Sequence, residues 1–288
     1  VIVVKNVRRD EQAFLHGHTG PISCLVLSHD GKTIASGQTT DMGFKADVIL
    51  WSMDAAIRSI SEPVEKEEKI LHRLSLHKVK IQDISFSPLD TYVATLGGQD
   101  DNNIVVWETA TGTAICGSPA AGDSSLCVKW FNGEEENRLI TGGKYTLRRW
   151  DFDRRNRKVL PVDVHLGSIR RIVTCVDIAL SDERMYCGTA TGDVLEVNIG
   201  AKEKPRFMRA SKQRFQLGVL CLRIFEGGSR PMLMVGTGNG TIARMPVETM
   251  DRGTKKVKIA GAVHSIAFDA GGKFFFCATA AGNVYAVE

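Results

Sequence analysis

Seven histidines and seven cysteines are the side chains of this sequence that are best suited to catalysis or metal binding. A catalytic histidine needs a nucleophile or an acid that converges on the same site. The sequence contains no GxSxG or HExxH motif and no carboxylate pair at a spacing that suggests catalysis. His18 and His77 instead occupy equivalent positions of an internal repeat, so we expect both to orient turns through hydrogen bonds. We predict that the protein is not an enzyme, with no catalytic residue, no metal and no cofactor.

A glycine-rich segment, VGTGNGTI at residues 235–242, resembles a phosphate-binding loop. Such a loop binds an anion where it opens onto the N-terminus of a helix. A strand-like sequence follows here, and Asn239-Gly240 is a dipeptide favoured in two-residue hairpin turns. The segment is therefore predicted to be a turn.

The cysteines indicate reduced thiols. Their number is odd, no two are spaced C-x-x-C, and most lie in apolar runs such as ISCLVL and FFFCATA. We expect buried thiols in a cytosolic compartment rather than a disulfide framework or a zinc site.

Composition places the chain among ordinary soluble globular proteins, since 43% of its 288 residues are hydrophobic and 24% are charged. No apolar run approaches the ~18 residues of a membrane span. The start, VIVVKNVRRDEQ, is too polar for a signal peptide. Because the chain begins with Val1 rather than methionine, we expect a fragment of a longer protein.

Charge is distributed unevenly along the chain. Residues 1–144 hold 14 basic and 19 acidic residues, a net charge of −5, whereas residues 145–288 hold 23 and 14, a net charge of +9. The asymmetry fits either an unevenly charged solvated surface or a second half that faces an acidic partner.

Internal repetition is the most informative feature of the sequence. The clearest unit begins at His77 and reads HKVKIQDISFSPLDTYVATLGGQDDNNIVVWET. Its short strands, IQDISF, YVATLGG and IVVWE, are separated by the turn sequences SPLD and QDDNN. Similar units place the following residues at one repeat position, 42 to 56 residues apart: Trp51, Trp107, Trp150, Val197, Met245 and Val287.

A period in the forties with four short strands per unit predicts an all-β fold, a β-propeller. Six units are too many for an immunoglobulin-like sandwich, and no helical pattern of about 10–15 residues separates the strands as in parallel α/β folds. VIVVKN and EQAFLHGH fit the third and outer strands of a further blade, and the chain ends on a third strand. We predict a single propeller domain over residues 1–288, truncated at both ends, with six recognisable blades and half of another. The intact ring would have seven.

The pairs GH at 17–18, SG at 36–37 and WS at 51–52 resemble the short sequence motifs that recur at fixed positions in each repeat of the WD-repeat family. The resemblance implies a buried hydrogen-bonded set of a His, a strand Ser or Thr, a Trp and a turn Asp within one blade. The matching positions are His77, Thr95, Asp101 and Trp107 in repeat two, His18, Ser36 and Trp51 in repeat one, and Trp150 in repeat three. The turn of repeat one is widened, which leaves Asp47 as a candidate fourth member. Repeat three lacks the histidine and repeats four to six lack the tryptophan, so we expect apolar packing alone to hold those blades.

A second resemblance covers almost the whole chain. The strings FLHGH, DMGFKADVILW, ATLGGQDDNNIVVW, AICGSPAAG and FQLGV are similar to those of the cilia- and flagella-associated WD-repeat proteins, which carry two tandem propellers. This resemblance implies the first of two propellers and a structural protein of the ciliary axoneme. It further implies a microtubule inner protein that contacts tubulin and other axonemal proteins in the doublet lumen. The charged insertion at residues 52–74 is longer than the resemblance leads us to expect.

The connection between the second and third strands of repeat one, within ASGQTTDMGFKADVILW, is wider than a hairpin needs. Ordering its extra residues costs conformational entropy. One interpretation is an Ω-like loop folded over its own Phe44. The other is a docking loop whose contacts are Met42, Phe44 and Lys45.

Basic residues cluster in four runs, at residues 148–158, 169–171, 202–214 and 255–258. Nucleic-acid binding calls for exposed aromatics between the basic residues and for a net charge well above the observed +4. We interpret the runs first as solvated blade edges, where Lys and Arg discourage edge-to-edge sheet pairing, and second as a surface for an acidic protein. The candidate contacts in the third run are Lys202, Lys204, Arg206, Arg209, Lys212 and Arg214.

We therefore predict a protein-binding scaffold of the cytoplasm and ciliary axoneme, with no nucleic acid, membrane or small-molecule substrate among its partners. The alternative is a cytoplasmic microtubule-associated WD-repeat protein of the echinoderm type. A propeller that acts as an enzyme or binds metal is a third hypothesis, which a pocket of converging histidines and carboxylates would support.

Overall fold

A computed structural model of the chain describes residues 1–121, 123–200, 204–228, 230–269 and 274–287. Two compact units are distinguished: unit 1 comprises Val1–Leu139 and Trp150–Leu160, and unit 2 comprises Ile140–Arg149 and Pro161–Glu288. In the described residues, no helix is long and apolar enough to span a membrane.

Unit 1 begins with two antiparallel strands, β1 (Ile2–Asn6) and β2 (Glu11–Leu15), which pair with each other. Two four-stranded antiparallel sheets follow. Blade one consists of β3 (Ile22–Leu27), β4 (Thr33–Gln38), β5 (Lys45–Ser52) and β6 (Ile70–Lys78). Blade two consists of β7 (Ile81–Phe86), β8 (Tyr92–Gly97), β9 (Asn103–Glu108) and β10 (Ala114–Pro119).

The third sheet contributes residues to both units. Blade three consists of β11 (Ser125–Trp130), β12 (Arg138–Gly143), β13 (Thr146–Asp153) and β14 (Lys158–Asp163).

Unit 2 continues with two four-stranded sheets and one three-stranded sheet. Blade four consists of β15 (Val173–Ile178), β16 (Arg184–Thr189), β17 (Val194–Asn198) and β18 (Arg206–Ala210). Blade five consists of β19 (Val219–Phe225), β20 (Met232–Thr237), β21 (Thr241–Pro246) and β22 (Lys255–Lys258). Blade six has, in the described part of the chain, β23 (Val263–Phe268), β24 (Phe275–Thr279) and β25 (Val284–Val287).

The strands of each blade follow chain order, so every blade is a meander. The predicted all-β fold is confirmed, with six blades and the additional strand pair of β1 and β2. That residues 1–288 form a single domain stays a prediction.

The second and third strands of blade two are apolar on both faces because a neighbouring blade covers each face. In blade two, all six residues of β8 are buried, as are Ile104 to Trp107 of β9. One side of the blade shares a core with blade one that includes Leu50 and Phe86. The other shares a core with Trp130 and Trp150 of blade three. Strands buried on both faces read as continuous apolar runs rather than alternating ones.

Two kinds of contact hold neighbouring blades together within a unit: close packing at a glycine, and a hydrogen bond from a backbone N–H to an aspartate of the adjacent blade. In unit 1, a Cβ added to Gly37 would lie 2.5 Å from Ile81 Cβ. Glycine is therefore required at that point for the first strand of the next blade to approach. Asp83 Oδ2 also accepts a hydrogen bond from the backbone N–H of Val128 at 2.8 Å. In unit 2, Asp177 Oδ2 does the same for the N–H of Ile224 at 2.8 Å.

The charged insertion of blade one folds as α1 (Met53–Ser61) and α2 (Lys66–Lys69), between β5 and β6. These helices were not predicted from the sequence. Ser52 caps α1, since its Oγ accepts a hydrogen bond from Ala55 N–H at 3.2 Å. The helix buries Ala55 and Ala56, and Ala56 joins a core with Leu15 of β2. The insertion thus fastens blade one to the preceding strand pair.

All seven cysteines are free thiols. Burial raises the pKa of Cys24 and of Cys175 to about 12, and that of Cys116 and of Cys277 to about 11. Burial also raises the pKa of the Cys187 and Cys221 thiols.

Candidate functional site

Blade two contains the complete polar set that the sequence predicts. Thr95 Oγ1 lies 2.7 Å from His77 Nε2 and accepts a hydrogen bond from Trp107 Nε1 at 2.8 Å. His77 Nδ1 lies 3.0 Å from Asp101 Oδ2. These hydrogen bonds run from the indole through the hydroxyl and the imidazole to the carboxylate, and they link β9, β8, the end of β6 and the turn before β9.

Asp101 also fixes the backbone around it. Its carboxylate accepts hydrogen bonds from the N–H groups of Lys78 at 2.9 Å and Asn103 at 3.1 Å. Burial opposes ionisation of Asp101, but the hydrogen bonds from His77 and the backbone outweigh it and lower the pKa of the carboxyl. Because His77 is only 1% exposed, this set has no access to a substrate and acts as a structural clamp.

Blade one carries a related set with one change. Ser36 Oγ lies 2.7 Å from His18 Nε2 and accepts a hydrogen bond from Trp51 Nε1 at 2.8 Å. His18 Nδ1 lies 2.9 Å from Gln38 Oε1, an acceptor, so Nδ1 carries the proton. Asp47, the candidate fourth member, instead faces Arg73, with 3.6 Å between Oδ2 and Nη1. Sequence reasoning missed Gln38 because an amide replaces the usual carboxylate.

His18 is held neutral. Burial lowers the pKa of His18 below its ordinary value of 6.5, although the hydrogen bond with Gln38 opposes that shift. A neutral imidazole with a proton on Nδ1 leaves Nε2 free to accept from the Ser36 hydroxyl.

Blade four corrects the prediction that apolar packing alone holds the later blades. Arg171 Nε donates to Asp193 Oδ2 at 2.9 Å, and Thr191 Oγ1 donates to Asp193 Oδ1 at 2.7 Å. Thr189 Oγ1 donates to the same carboxylate. Burial opposes ionisation of Asp193, but hydrogen bonds from Thr189, Thr191 and Arg171 lower the pKa of the carboxyl overall.

A spacing in the sequence could have revealed this set. His18 precedes Ser36 by 18 residues, and His77 precedes Thr95 by 18 residues. Arg171 likewise precedes Thr189 by 18 residues. An arginine therefore occupies the histidine position of blade four, and the clamp survives without a tryptophan.

Blades five and six have smaller versions of the same arrangement. Thr237 Oγ1 donates to Asn239 Oδ1 at 2.7 Å and accepts from Thr241 N–H at 2.9 Å. Thr279 Oγ1 donates to Asn283 O at 3.4 Å. The turn Asn239-Gly240 joins β20 to β21, so the glycine-rich segment is a hairpin turn as predicted.

Trp150, the remaining member of the predicted set, is fully buried in β13. It belongs to the unit 1 core that contains Trp130, Tyr92 and Phe152. Among the residues that the structure describes, no group of three or more His, Cys, Asp or Glu side chains is arranged to hold a metal ion.

The widened turn of blade one forms an exposed loop, which we call the Met42 loop (residues 39–45). The side chains of Met42 and Phe44 are 82% and 66% exposed. The loop therefore does not fold over Phe44, and that interpretation is wrong. Lys45, the first residue of β5, is exposed as well.

The base of the Met42 loop is fixed by an unusual turn at Val79. Thr40 N–H donates to Val79 O at 2.5 Å, and Val79 N–H donates to Phe44 O at 3.1 Å. Val79 has φ = 62°, and Lys80 N–H bonds back to Lys78 O at 2.6 Å, which makes a γ-turn with a positive φ. A β-branched residue rarely adopts this conformation, which stores strain.

Lysines cluster beside this base. Lys45 and Lys78 are directly opposite each other in the register of β5 and β6, and Thr39 bridges to Lys80. Like charges opposite each other in a sheet are destabilising. Two exposed apolar side chains are thus displayed next to Lys45 and Lys78, neither of which forms an ion pair in the described part of the chain.

The predicted contacts of the third basic run divide into two kinds. Lys204, Arg206, Lys212 and Arg214 are exposed. Arg209 is bonded within the protein. Its guanidinium bonds to Glu196 and donates to Val247 O at 3.0 Å and Glu248 O at 2.7 Å. Arg209 therefore joins blades four and five rather than offering a free contact. Lys202 lies outside the described residues.

The sequence of this chain is similar to those of known WD-repeat proteins. The profile of the family described as "WD domain, G-beta repeat" matches residues 9–51 and 68–108. Cilia- and flagella-associated protein 52 of Chlamydomonas reinhardtii is 39% identical over 95% of this chain and 42% of its own length. The proteins of the same name from Sus scrofa and Homo sapiens are 38% and 37% identical, each over 100% of this chain and 44% of their own length. The chain thus spans less than half the length of these curated relatives.

Solved structures agree in fold. The β-propeller domain of Cps50 (Swd1) from Myceliophteria thermophila has a TM-score of 0.72 at 14% identity, with 94% of this chain and 84% of that chain covered. The structure of U3-55K has a TM-score of 0.69 at 16% identity, with 96% and 81% covered. At these identities the likeness concerns the fold alone.

Proposed function

Because the chain is a WD-repeat β-propeller, we propose that it is a structural, protein-binding module of the ciliary axoneme. The proposal extends to a microtubule inner protein, held against tubulin in the lumen of the doublet. Its mechanism is rigid display: buried clamps and apolar cores fix the blades, and exposed loops and edges bind partners.

Similarity supports the ciliary assignment. Relatives named Cilia- and flagella-associated protein 52 match the whole chain at 37–39% identity in an alga and in mammals. The alignments with the proteins of Sus scrofa and Homo sapiens cover 100% of this chain, so their matched length includes the Met42 loop and the basic residues of unit 2.

The observation that carries a protein-binding role is the Met42 loop. Its two apolar side chains stay in water although a two-residue turn would have joined the same strands. An exposed Phe and Met on a backbone that is held in place by hydrogen bonds are suited to fill an apolar pocket of a partner. The adjacent Lys45 and Lys78 favour a partner with an acidic surface, and tubulin is acidic.

The basic edges of unit 2 extend this complementarity. Residues 255–258 of β22 are all exposed, and three of the four are lysines. Lys212 and Arg214 are exposed on the segment that follows β18. These cations are the second surface that we assign to an acidic partner.

Localisation of the tagged full-length protein in a ciliated cell tests the proposal. We expect an axonemal signal that resists salt extraction, because a luminal protein is enclosed by the doublet wall. Diffuse decoration of cytoplasmic microtubules would instead support a cytoplasmic microtubule-associated protein.

Co-sedimentation with microtubules tests the surfaces. We expect Met42→Ser/Phe44→Ser and Lys212→Glu/Arg214→Glu to weaken binding. Arg8→Glu/Arg9→Glu, which changes two exposed arginines in the turn after β1, is the matched control and should bind as the wild type does. Equal binding by all three variants at low salt would refute the assigned surfaces.

A further inference from the structure

A cavity of about 290 Å³ lies in unit 1, beside the turn between β7 and β8 of blade two and the turn between β11 and β12 of blade three. Its lining residues are Thr91, Tyr92, Glu134, Glu135, Glu136, Asn137, Phe152 and Arg154. Its volume is just below the range of about 300–1,000 Å³ that small-molecule sites occupy. The cavity is therefore at the lower limit of that range and is large enough for a single side chain.

Glu136 gives the cavity a buried negative charge. It is 7% exposed, and its Oε1 accepts hydrogen bonds from Ser87 Oγ at 2.5 Å and Leu89 N–H at 3.1 Å. No cationic group lies within ion-pair distance of its carboxylate in the described part of the chain, and Oε2 makes no hydrogen bond there. Buried carboxylates are ordinarily paired with a cation, so this one lacks its usual counter-charge.

Only part of this arrangement is explained by the fold. Asp90 has the equivalent place in blade two, where it accepts from the N–H groups of His29 and Asp30 at 2.9 and 2.8 Å. Asp90 also meets the His29 ring, with 3.0 Å between Oδ1 and Nδ1. The hydrogen bonds that join the two turns therefore account for Glu136 Oε1. They do not account for the second oxygen of a cavity-lining carboxylate that forms no ion pair in the described part of the chain.

The walls of the cavity suit a guanidinium group. Tyr92 and Phe152 line it with aromatic rings whose centroids lie 5.1 Å apart. The chain's own Arg154 already lies over the Tyr92 ring, 5.7 Å from its centroid. That arginine is 67% exposed and reaches Glu108 only at 3.9 Å, so it is weakly held at the rim. Planar stacking combined with carboxylate pairing is a property of arginine rather than of lysine.

We propose that this cavity receives an arginine side chain from a basic segment of a partner protein. The guanidinium would stack on Tyr92, pair with the open oxygen of Glu136 and meet Glu134 and Glu135 at the entrance. Residues 1–144 carry a net charge of −5, which complements such a segment. The site is independent of the acidic partner proposed above, and the chain would thereby join two partners of opposite charge.

Peptide titration of the complete chain tests the proposal. The probe is a blocked pentapeptide with a central arginine, compared with peptides that carry citrulline, a neutral isostere, or lysine at that position. Trp130 provides the readout, because its ring lies 6.2 Å from Tyr92 and 5.8 Å from Phe152, centroid to centroid. Its indole N–H is one of four such signals in an ¹⁵N-labelled sample.

We expect the arginine peptide to shift the Trp130 signal in a saturable way, the lysine peptide to bind more weakly, and the citrulline peptide to leave the signal unchanged. Glu134→Gln/Glu135→Gln should weaken binding about threefold, as expected for exposed ion pairs. Glu67→Gln/Glu68→Gln, an equally charged pair on α2, should not change it. Arg154→Gln should strengthen binding, because it removes the internal competitor.

Equal responses to arginine and citrulline would overturn the proposal, as would equal affinities of the two glutamine double variants. A lysine peptide that binds as well as the arginine peptide would overturn the assignment to a guanidinium. These outcomes do not depend on microtubule binding, so they leave the proposed function to its own test.

Discussion

Replacement of Thr95 by valine removes the hydroxyl at the centre of the blade-two clamp and preserves the shape of the side chain. His77 Nε2 and Trp107 Nε1, which lie 2.7 and 2.8 Å from Thr95 Oγ1, then lose their partner. Each buried polar group left without a hydrogen bond costs about 1–3 kcal/mol. We expect Thr95→Val to lower the free energy of unfolding by about 3 kcal/mol.

The same blade offers a matched control. Thr109 Oγ1 is buried and makes no hydrogen bond in the described part of the chain. Thr109→Val therefore makes the same chemical change without breaking a bond, and we expect a change within about 0.5 kcal/mol. Urea unfolding followed by circular dichroism compares the two variants directly.

A second measurement locates the effect. Asp101 accepts from the N–H groups of Lys78 and Asn103, and its carboxylate is oriented by His77. Loss of the hydroxyl should loosen His77, so these two amides should exchange faster in Thr95→Val than in Thr109→Val. If the two variants have the same stability and the same amide exchange, the clamp does not stabilise the blade and the reasoning fails.

Three further predictions concern the ion pair of Arg171, the pH dependence of stability and the turn at Val79. Arg171→Ala should destabilise the protein by about 2 kcal/mol, because Asp193 is 2% exposed and loses its cation. The double variant Arg171→Ala/Asp193→Asn should recover part of the lost free energy of unfolding, measured by urea titration. An equal loss of stability in both variants would contradict the ion pair. The lowered pKa values of Asp101 and Asp193 mean that the folded state binds fewer protons than the unfolded one, so their stabilisation is present above pH 3.8 and is lost as the pH falls through the folded pKa. The pKa of His18 is lowered as well, so its contribution to stability is lost as the pH falls below 6.5. Unfolding midpoints should therefore fall less steeply with decreasing pH in His18→Gln below pH 6.5, and in Asp101→Asn below pH 3.8, than in the wild type. Variant and wild-type pH profiles that run parallel would contradict the assignment. Val79→Gly should raise stability by up to about 1 kcal/mol, because relief of the positive φ exceeds the added chain entropy; a lower unfolding midpoint would show that the turn is not strained.

Periodicity was sufficient to predict the blades. The strand positions and the turn at Asn239-Gly240 follow from apolar runs and turn residues, which act locally. The helices of the insertion were missed because α1 has only nine residues and its apolar side is short. Its signal was nevertheless present: Ser52 at the cap and Asp54 in the first turn.

The polar clamps were predictable only where their residue types were conventional. Gln38 takes the place of the Asp as hydrogen-bond partner of the histidine, and Arg171 takes the place of the histidine, 18 residues before Thr189. Spacing would have identified Arg171, whereas residue type concealed it. The cavity around Glu136 was beyond reach from sequence, because its walls come from separate turns of blades two and three.

The shielded native thiols make the protein convenient for site-specific labelling. Maleimides react with thiolates, and burial keeps at least six of the seven cysteines protonated at neutral pH. A cysteine introduced at an exposed position such as Met42 would therefore react first, so a fluorophore or cross-linker can be attached there without removing any native sulfur.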